Sequence, residues 1–218
     1  MWIKIKDLIL DILFPKFCFN CQKEGDYLCQ DCQALLEISG FHRHFSTPHL
    51  NDLYWACDYK NPLIKKLIQY FKYEPFVKKL SKTLSSLITA HLQLMDERPD
   101  FSDFDIIPVP LHKKRLKWRG FNQAEELAKE LANFFKNPLM PTNLIRIKET
   151  LCQTELSNEE RKENIKNVFL CQNPEKIKGQ KILLVDDVYT TGSTMTECAR
   201  VLREAGAKKI IGLVVARG

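Results

Sequence analysis

The sequence predicts an α/β fold in which helices flank a parallel β-sheet, preceded by a small cysteine-rich module. Strand-like and helix-like patterns alternate across residues 104–218, as they do in parallel sheets with crossover helices. A short apolar run at residues 182–185 is typical of a strand covered on both faces. Four of the eight cysteines fall within residues 18–32 as two Cys-x-x-Cys pairs, which indicates a separate module at that end.

Length and composition indicate a soluble globular protein with two parts. The chain has 218 residues, 44% of them hydrophobic and 28% charged, which argues against disorder. This length accommodates one α/β domain of about 150 residues and a small accessory module. We predict a module over residues 1–50 and the α/β domain over residues 51–218. The 33 basic and 27 acidic residues give a net charge of +6, which suits anionic ligands without requiring nucleic acid.

Residues 2–14 form an amphipathic segment. Lys4, Lys6, Asp7 and Asp11 interrupt it too often for a signal sequence or a membrane span, so we expect no transmembrane segment and a cytoplasmic protein. Its apolar face is expected to dock on the protein itself, and a place at a lipid surface is the alternative.

The two Cys-x-x-Cys pairs predict a structural zinc site. Four thiolates presented from neighbouring turns can surround one Zn²⁺ tetrahedrally, and the ligands would be Cys18, Cys21, Cys29 and Cys32. A pair of disulfides fits poorly with a chain that lacks an export signal, and a redox motif needs only one pair. The single cysteines at positions 57, 152, 171 and 198 are expected to be small buried apolar residues.

His42 and His44, with His49 nearby, are candidates for a second metal site. Histidines spaced this loosely are more often surface or lightly buried groups, so spacing alone does not favour a metal.

The stretch up to residue 95 predicts one strand and two helices. Residues 53–59 are aromatic and apolar, as in a strand. Pro62 then opens a helical spacing of apolar residues, Pro75 breaks it, and a second helical pattern covers residues 76–95.

The following stretch predicts the remainder of the sheet. Residues 104–110 form a strand whose two prolines suit only a sheet edge or a loop entry. The elements predicted after it are a helix over 123–135, a short strand over 144–147, a polar connecting segment over 150–167, a helix over 193–204 and a last strand over 208–214.

Two adjacent acids follow the apolar run, at the sheet edge where open α/β folds bind ligands. A turn of small residues comes next, and its N–H groups and hydroxyls can surround an anion at the start of a helix. The segment comprises Asp186, Asp187, Val188, Tyr189, Thr190, Thr191, Gly192, Ser193 and Thr194. The implied ligand carries a phosphate beside a diol or a metal. An ordinary strand-to-helix turn with surface acids is the alternative.

A basic cluster surrounds Trp118. Its cations are Lys113, Lys114, Arg115, Lys117 and Arg119. They offer phosphate contacts next to one stacking surface, as in proteins that bind single-stranded nucleic acid. The same charges could instead neutralise a pyrophosphate, so two hypotheses compete for these residues.

These motifs resemble known ones. The acid pair and the hydroxyl turn resemble the phosphoribosyl-pyrophosphate (PRPP) motif of type I phosphoribosyltransferases. Nearly the whole chain resembles the ComF family of phosphoribosyltransferase-like competence proteins. That resemblance rests on the cysteine pairs, on residues 108–123, on the acid pair with its turn, on the ending Ala216-Arg-Gly218, and on Thr150, Gln153, Ser157, Arg161, Asn164 and Phe169. Several relatives have further cysteines where this chain has histidines.

The resemblance implies a type I phosphoribosyltransferase-like parallel sheet with flanking helices and a zinc-ribbon-like N-terminal module. It also implies PRPP or a related sugar phosphate as ligand, with Mg²⁺, and a role in handling single-stranded DNA together with the DNA-uptake machinery. By position, Asp186 and Asp187 would hold the ribose hydroxyls and residues 190–194 the 5′-phosphate. A loop over residues 110–119 would meet pyrophosphate.

If the chain is an enzyme, a nucleophile would displace pyrophosphate from C1 of PRPP, with Asp186, Asp187, Arg115 and Arg119 as the catalytic candidates. Further contacts would come from a loop that closes over the ligand, carrying Lys148, Gln153 and Arg161. The sequence names no acceptor. The alternative is a binding module that uses the PRPP pocket without turnover and grips single-stranded DNA.

Overall fold

The computed structural model describes residues 15–74, 76–149 and 165–218. The strands of this part of the chain are β1 (Asp52–Asp58), β2 (Phe104–Pro108), β3 (Leu144–Arg146), β4 (Phe169–Cys171), β5 (Lys181–Tyr189) and β6 (Lys209–Arg217). Its α-helices are α1 (Gln30–Ala34), α2 (Pro62–Lys72), α3 (Leu80–Leu94), α4 (Lys113–Arg119), α5 (Gln123–Phe135) and α6 (Ser193–Glu204). A 3₁₀ turn covers Pro174–Lys176.

A parallel sheet with strand order β1-β6-β5-β2 forms the centre of the fold. Successive side chains of a strand point to opposite faces, and β5 shows the consequence. Leu183 and Val185 pack into a core with α2, α3 and α5, whereas Ile182 and Leu184 pack into a second core beneath α6. Both faces of β5 are therefore covered, as the apolar run predicts. The strands β3 and β4 form a separate antiparallel pair.

Several element predictions are confirmed. The helices over residues 123–135 and 193–204 have the predicted bounds, and Pro62 is the first residue of α2. The proline-containing strand β2 lies at an edge of the sheet, where a missing N–H leaves no gap in the ladder.

The basic segment predicted as a loop is a helix, α4. His112 caps its start by accepting a hydrogen bond from the Lys114 N–H, and Gly120 ends it in the left-handed conformation, with φ of 77°. The residues between these caps are mostly lysine, arginine and leucine, which are strong helix formers.

Several strand boundaries shift by one or two residues, and three differences from prediction are larger or bear on the site. The acid pair lies within β5 rather than after it, because β5 keeps pairing with β6 as far as Tyr189. The last strand runs on to Arg217 for the same reason. The second helix predicted from residue 76 begins at Leu80, and Phe76 has a φ of 53°, which does not fit a right-handed helix.

Among the helices that the structure describes, none is both long and apolar enough to cross a bilayer. The amphipathic segment at residues 2–14 lies outside the described residues. So do Cys152, Gln153, Arg161 and the rest of residues 150–164.

Candidate functional site

A cleft of about 510 Å³ opens at the carboxyl ends of β2 and β5. Its walls come from the end of α2, from α4, from the start of α5 and from residues 186–195. The sheet edge is where parallel α/β folds bind ligands, because strand ends and helix starts meet there. The acid pair and the hydroxyl turn, which sequence placed together, both line this cleft.

The hydroxyl turn leads into the start of α6. Gly192 has a φ of 74°, and a Cβ at this position would lie 2.0 Å from the Tyr189 hydroxyl oxygen. Only glycine fits this backbone and this close approach. Thr191 Oγ1 lies 3.0 Å from Ser193 Oγ, so both hydroxyls lie at the N-terminal end of α6. The N-terminal end of a helix carries a partial positive charge and N–H groups without intrahelical acceptors, which suits a phosphate.

The two acids occupy different surroundings, because neighbouring strand residues face opposite sides of the sheet. Asp187 is buried, and its Oδ1 lies 2.8 Å from Nζ of Lys72, the last residue of α2. Asp186 senses the charge of Arg146 and accepts a hydrogen bond of 2.9 Å from the Asp187 N–H. Lys72 thus acts on both acids, and Arg146 adds a smaller attraction to Asp186.

Burial and the charge of Asp187 raise the pKa of Asp186 to about 7, although Lys72 and Arg146 act in the opposite direction. Burial lowers the pKa of Lys72, but the attraction of Asp187 and Asp186 outweighs it and the net shift is upward. Lys72 is therefore a cation at neutral pH. Asp186 can lose or gain a proton there, depending on what charge a ligand brings.

Arginines form the electropositive side of the cleft. Arg115 and Arg119 come from α4, and Arg146 is the last residue of β3. The Arg119 guanidinium lies 5.3 Å from the ring centre of Tyr73 and donates a 3.1 Å hydrogen bond to Gln123 Oε1. A planar guanidinium group can donate two parallel hydrogen bonds to two oxygens of a phosphate, so this side of the cleft suits a pyrophosphate.

Helix α4 divides the basic cluster between two surfaces. Arg115 and Arg119 are four residues apart, share one face of the helix and line the cleft. Lys113, Lys117 and Trp118 are exposed and lie outside the cleft lining. Lys114 is also exposed and pairs with Glu149 at 2.5 Å. The cluster predicted for either pyrophosphate or nucleic acid is thus split into a pair of arginines in the cleft and a group of exposed residues outside it.

Sequence reasoning missed three cations of the cleft, Lys65, Lys72 and Arg146. Lys72 ends a helix that begins ten residues earlier, and Arg146 belongs to a three-residue strand, so no local motif marks either. The predicted candidate Lys148 is exposed and is not part of the cleft wall. Its proposed partners, Gln153 and Arg161, lie outside the described residues.

The four cysteines of the two pairs converge on one point. Cys18 and Cys21 come from a turn, Cys29 precedes α1, and Cys32 lies within α1. All four Sγ atoms lie within 4.8 Å of one another, and Cys21 and Cys29 are 3.5 Å apart. Tetrahedral Zn–S bonds of about 2.3 Å require sulfur separations of about 3.8 Å. The donor set and its spacing fit a structural Zn²⁺, which would supply a cross-link between the two pairs. All four thiols are free, so the disulfide alternative is not supported.

The thiols already influence each other. Burial raises the pKa of Cys18, but N–H donors from Cys21, Cys29 and Asn20 outweigh it and lower that pKa to about 6. The Asn20 amide acts to lower the pKa of Cys32, but burial and the neighbouring thiols raise it to about 12. Without a cation the cluster therefore does not release all its protons at neutral pH, whereas a metal would favour thiolates. The three described cysteines outside the cluster, Cys57, Cys171 and Cys198, are buried as expected.

Sequence comparison connects the chain with named proteins. A family model described as "Phosphoribosyl transferase domain" matches residues 117–218. Competence protein F of Haemophilus influenzae is 32% identical over 201 residues, covering 90% of this chain and 82% of that protein. The DNA utilization protein YhgH of Escherichia coli K12 is 30% identical over 209 residues, covering 88% and 85%. Competence protein ComFC of Streptococcus pneumoniae is 29% identical over 197 residues, covering 88% and 77%.

Solved structures similar to this one include two longer chains. One is the glutamine PRPP amidotransferase of B. subtilis complexed with ADP and GMP, with 17% identity, a TM-score of 0.39, and coverage of 63% of this chain and 25% of that one. The other is described as the allosteric regulatory enzyme of purine biosynthesis, with 16% identity, a TM-score of 0.45, and coverage of 68% and 30%. The sequence relatives, at up to 32% identity over most of both chains, carry the assignment. The chain belongs to the ComF family, with a phosphoribosyltransferase-like fold and a four-cysteine cluster on its N-terminal side.

Proposed function

We propose that the cleft binds PRPP with Mg²⁺, and that the chain uses this site in handling single-stranded DNA during natural transformation. The observation that carries the PRPP proposal is the position of Gly192. Its left-handed backbone directs the turn and the start of α6 toward the same cleft as Asp186 and Asp187. The names of the relatives, Competence protein F and DNA utilization protein YhgH, support the second half of the proposal.

Each part of PRPP has a matching part of the cleft. The 5′-phosphate would lie against the start of α6, where the Thr191 and Ser193 hydroxyls stand. The ribose hydroxyls would meet Asp186 and Asp187. The pyrophosphate would face Arg115 and the neighbouring arginines of the cleft wall. Mg²⁺ would supply charge neutralisation through the ligand's own oxygens and water.

Calorimetry with PRPP and Mg²⁺ tests this assignment. Heat of binding is expected for the unchanged protein and is expected to disappear in the double variant Asp186→Ala/Asp187→Ala. The pair Asp96→Ala/Glu97→Ala is a matched control, because these acids are also adjacent but are exposed and outside the cleft. Absence of heat with the unchanged protein, or equal binding by the two double variants, would overturn the proposal.

Catalysis is the second candidate function, and the arginines of the cleft favour it. They lie where a leaving pyrophosphate would need neutralisation as the bond to C1 breaks. The nucleophile would form the new bond to C1 and lose its proton to solvent. Pyrophosphate release from PRPP, screened against nucleobases, amines and DNA ends, tests this. Release that depends on an acceptor and on Arg115 would establish an enzyme, and no release with any acceptor would leave binding as the function.

The DNA part of the proposal rests on an exposed surface that joins α4 to the cysteine module. Trp118 is 57% exposed, and its ring meets Phe76 edge-on with centres 5.1 Å apart. Phe76 also lines a groove whose other wall includes Phe17, which is 45% exposed, and Tyr27. Aromatic rings strung along a surface provide successive stacking positions for unpaired bases.

Lysines accompany these rings. Lys113 and Lys117 are exposed on α4, and Lys78 and Lys79 line the groove beyond Phe76. A phosphate backbone passing the rings would run beside them. The binding proposed here depends on salt, because contacts between lysines and phosphates release counterions.

Fluorescence anisotropy with a single-stranded oligonucleotide tests the surface. Affinity is expected to fall steeply between about 50 and 200 mM salt. Trp118→Ala and Phe17→Ala are each expected to weaken binding by about 1–3 kcal/mol if a base stacks on that ring. Phe134→Ala is the control, since Phe134 is 49% exposed on α5 and lies outside the groove and the cleft. Affinity that ignores salt, or equal losses in all three variants, would contradict the proposal.

A further inference from the structure

Three side chains with metal-ligand atoms meet near the start of β1. His42 Nε2 lies 2.9 Å from Asp52 Oδ2, and His44 Nδ1 lies 3.2 Å from the same oxygen. The three ligand atoms all lie within 4.8 Å of one another. Spacing in the sequence did not favour a metal here, because the carboxylate that completes the set comes from the first residue of a strand. His49, the third histidine of this stretch, is not part of the cluster.

Two of the three side chains are held in place by contacts outside the cluster. Asp52 Oδ1 accepts hydrogen bonds from the N–H groups of Phe45, at 3.1 Å, and Leu53, at 2.9 Å. The ring of His42 stacks on Tyr54 with centres 4.0 Å apart and planes inclined by 10°. Such supporting contacts orient metal ligands and leave the opposite atoms, Asp52 Oδ2 and His42 Nε2, directed at the cluster.

The separations suit a small divalent ion. Bonds of about 2.0–2.2 Å from nitrogen and oxygen to zinc place tetrahedral ligands about 3.4 Å apart. The two separations from Asp52 Oδ2 to the histidine nitrogens, 2.9 and 3.2 Å, need only small adjustments to reach this value. The His44 side chain is 69% exposed, so water has access to a fourth position and the third ligand can adjust.

We propose that His42, His44 and Asp52 form a second metal site, which takes a divalent first-row transition ion such as Zn²⁺. Two imidazoles and one carboxylate are a donor set that such ions accept. The site lies apart from the cleft, because Asp52 starts β1 whereas Asp186 lies near the carboxyl end of β5. It does not depend on the proposed binding of PRPP or DNA.

The site's place in the fold indicates a structural role. Residues 39–50 connect the cysteine module to the sheet, and His42 and His44 belong to this connection. A metal shared with Asp52 would fix the connection to the first residue of β1. It would add to contacts that already hold this part of the chain: the Ser39 N–H donates a 3.1 Å hydrogen bond to the Ala56 carbonyl of β1, and Lys66 of α2 donates a 2.6 Å hydrogen bond to the Phe19 carbonyl.

The test uses the full chain, stripped with chelator under reducing conditions and titrated with Co²⁺. The unchanged protein is expected to bind two equivalents, only one of which shows thiolate-to-cobalt absorption. His44→Ala is expected to lose the equivalent without thiolate absorption, or to weaken it by at least about tenfold. His49→Ala is the matched control, because it removes a histidine of the same stretch outside the cluster, and it should keep both equivalents.

A second variant and a folding check separate the two metal sites from each other and from unfolding. Cys21→Ser is expected to lose the thiolate signal and keep the other equivalent, which separates this site from the four-cysteine site. Circular dichroism checks that His44→Ala is folded. The proposal would be overturned if the unchanged protein bound a single equivalent of Co²⁺ and showed only thiolate absorption. The three residues would then be joined by hydrogen bonds alone. Equal binding by His44→Ala and His49→Ala would also overturn it.

Discussion

Lys72 Nζ and Asp187 Oδ1 lie 2.8 Å apart at the floor of the cleft, with their side chains 24% and 6% exposed. The contact joins the last turn of α2 to β5. It neutralises one acid of the pair and leaves Asp186 as the one whose charge can respond to a ligand.

Lys72→Met should reduce the free energy of unfolding by about 3 kcal/mol, because it leaves a buried carboxylate without its partner. Urea unfolding at neutral pH measures this. Lys65→Met is the control, since Lys65 is an exposed lysine of the same helix. Equal losses in the two variants would show that the ion pair contributes little.

Asp186→Asn should become more stable relative to the unchanged protein as the pH rises. The pKa of Asp186 is about 7 in the folded protein and 3.8 as its ordinary value, so the folded state binds this proton more tightly. Its contribution to stability is therefore lost as pH rises from about 4 to 7. Between about pH 5 and 8, the difference in free energy of unfolding between the two proteins should change by about 2 kcal/mol. This is less than the full pKa shift would give, because the Asp186 side chain is partly exposed to the cleft. Urea unfolding of both proteins at each pH measures it, and a constant difference would refute the shift.

Gly192→Ala should destabilise the protein and remove PRPP binding. Gly179→Ala separates the causes, because Gly179 has a similar φ of 78° but no atom within 4 Å of an added Cβ. Both variants carry the left-handed strain of about 1–2 kcal/mol. Only Gly192→Ala adds the overlap with Tyr189, so it should lose more stability in urea and all the heat of binding. Retained PRPP binding in this variant would argue against the phosphate position.

The two faces of α4 should respond to different ligands. Arg115→Ala/Arg119→Ala should weaken PRPP binding at least tenfold, since charged hydrogen bonds contribute about 1.5–3 kcal/mol. Lys113→Ala/Lys117→Ala should instead weaken single-stranded DNA binding and lower its salt slope by about 2. Each pair removes two charges four residues apart on the same helix, so each is the other's control. Equal effects of the two double variants on both PRPP affinity and DNA affinity would show that the two faces of α4 do not bind different ligands.

We expect the four-cysteine cluster to hold one Zn²⁺ that stabilises the cysteine module. Cys21→Ser, at an exposed thiol, should lose one zinc equivalent by elemental analysis and lower the thermal midpoint. Cys171→Ser, a cysteine outside the cluster, should keep the zinc. Equal zinc content in the two variants would rule out the cluster as the site.

Local patterns determined much of this protein. The apolar run with its acid pair predicted a strand covered on both faces beside a ligand site, because burial and periodicity act over a few residues. The Cys-x-x-Cys pairs predicted convergent thiols for a similar reason, since each pair occupies one turn. Caps were harder to recognise. His112 and Gly120 make α4 a helix where a loop was expected.

Only the tertiary structure decided which distant charges share the cleft. Lys72 and Arg146 act on the acid pair from elements more than about 30 residues away in sequence, through packing that no local period encodes. The same holds for Asp52, which turns two loosely spaced histidines into a cluster. A sequence specifies its strands and turns through short-range preferences, whereas long-range electrostatic partners exist only once the sheet and its helices have packed.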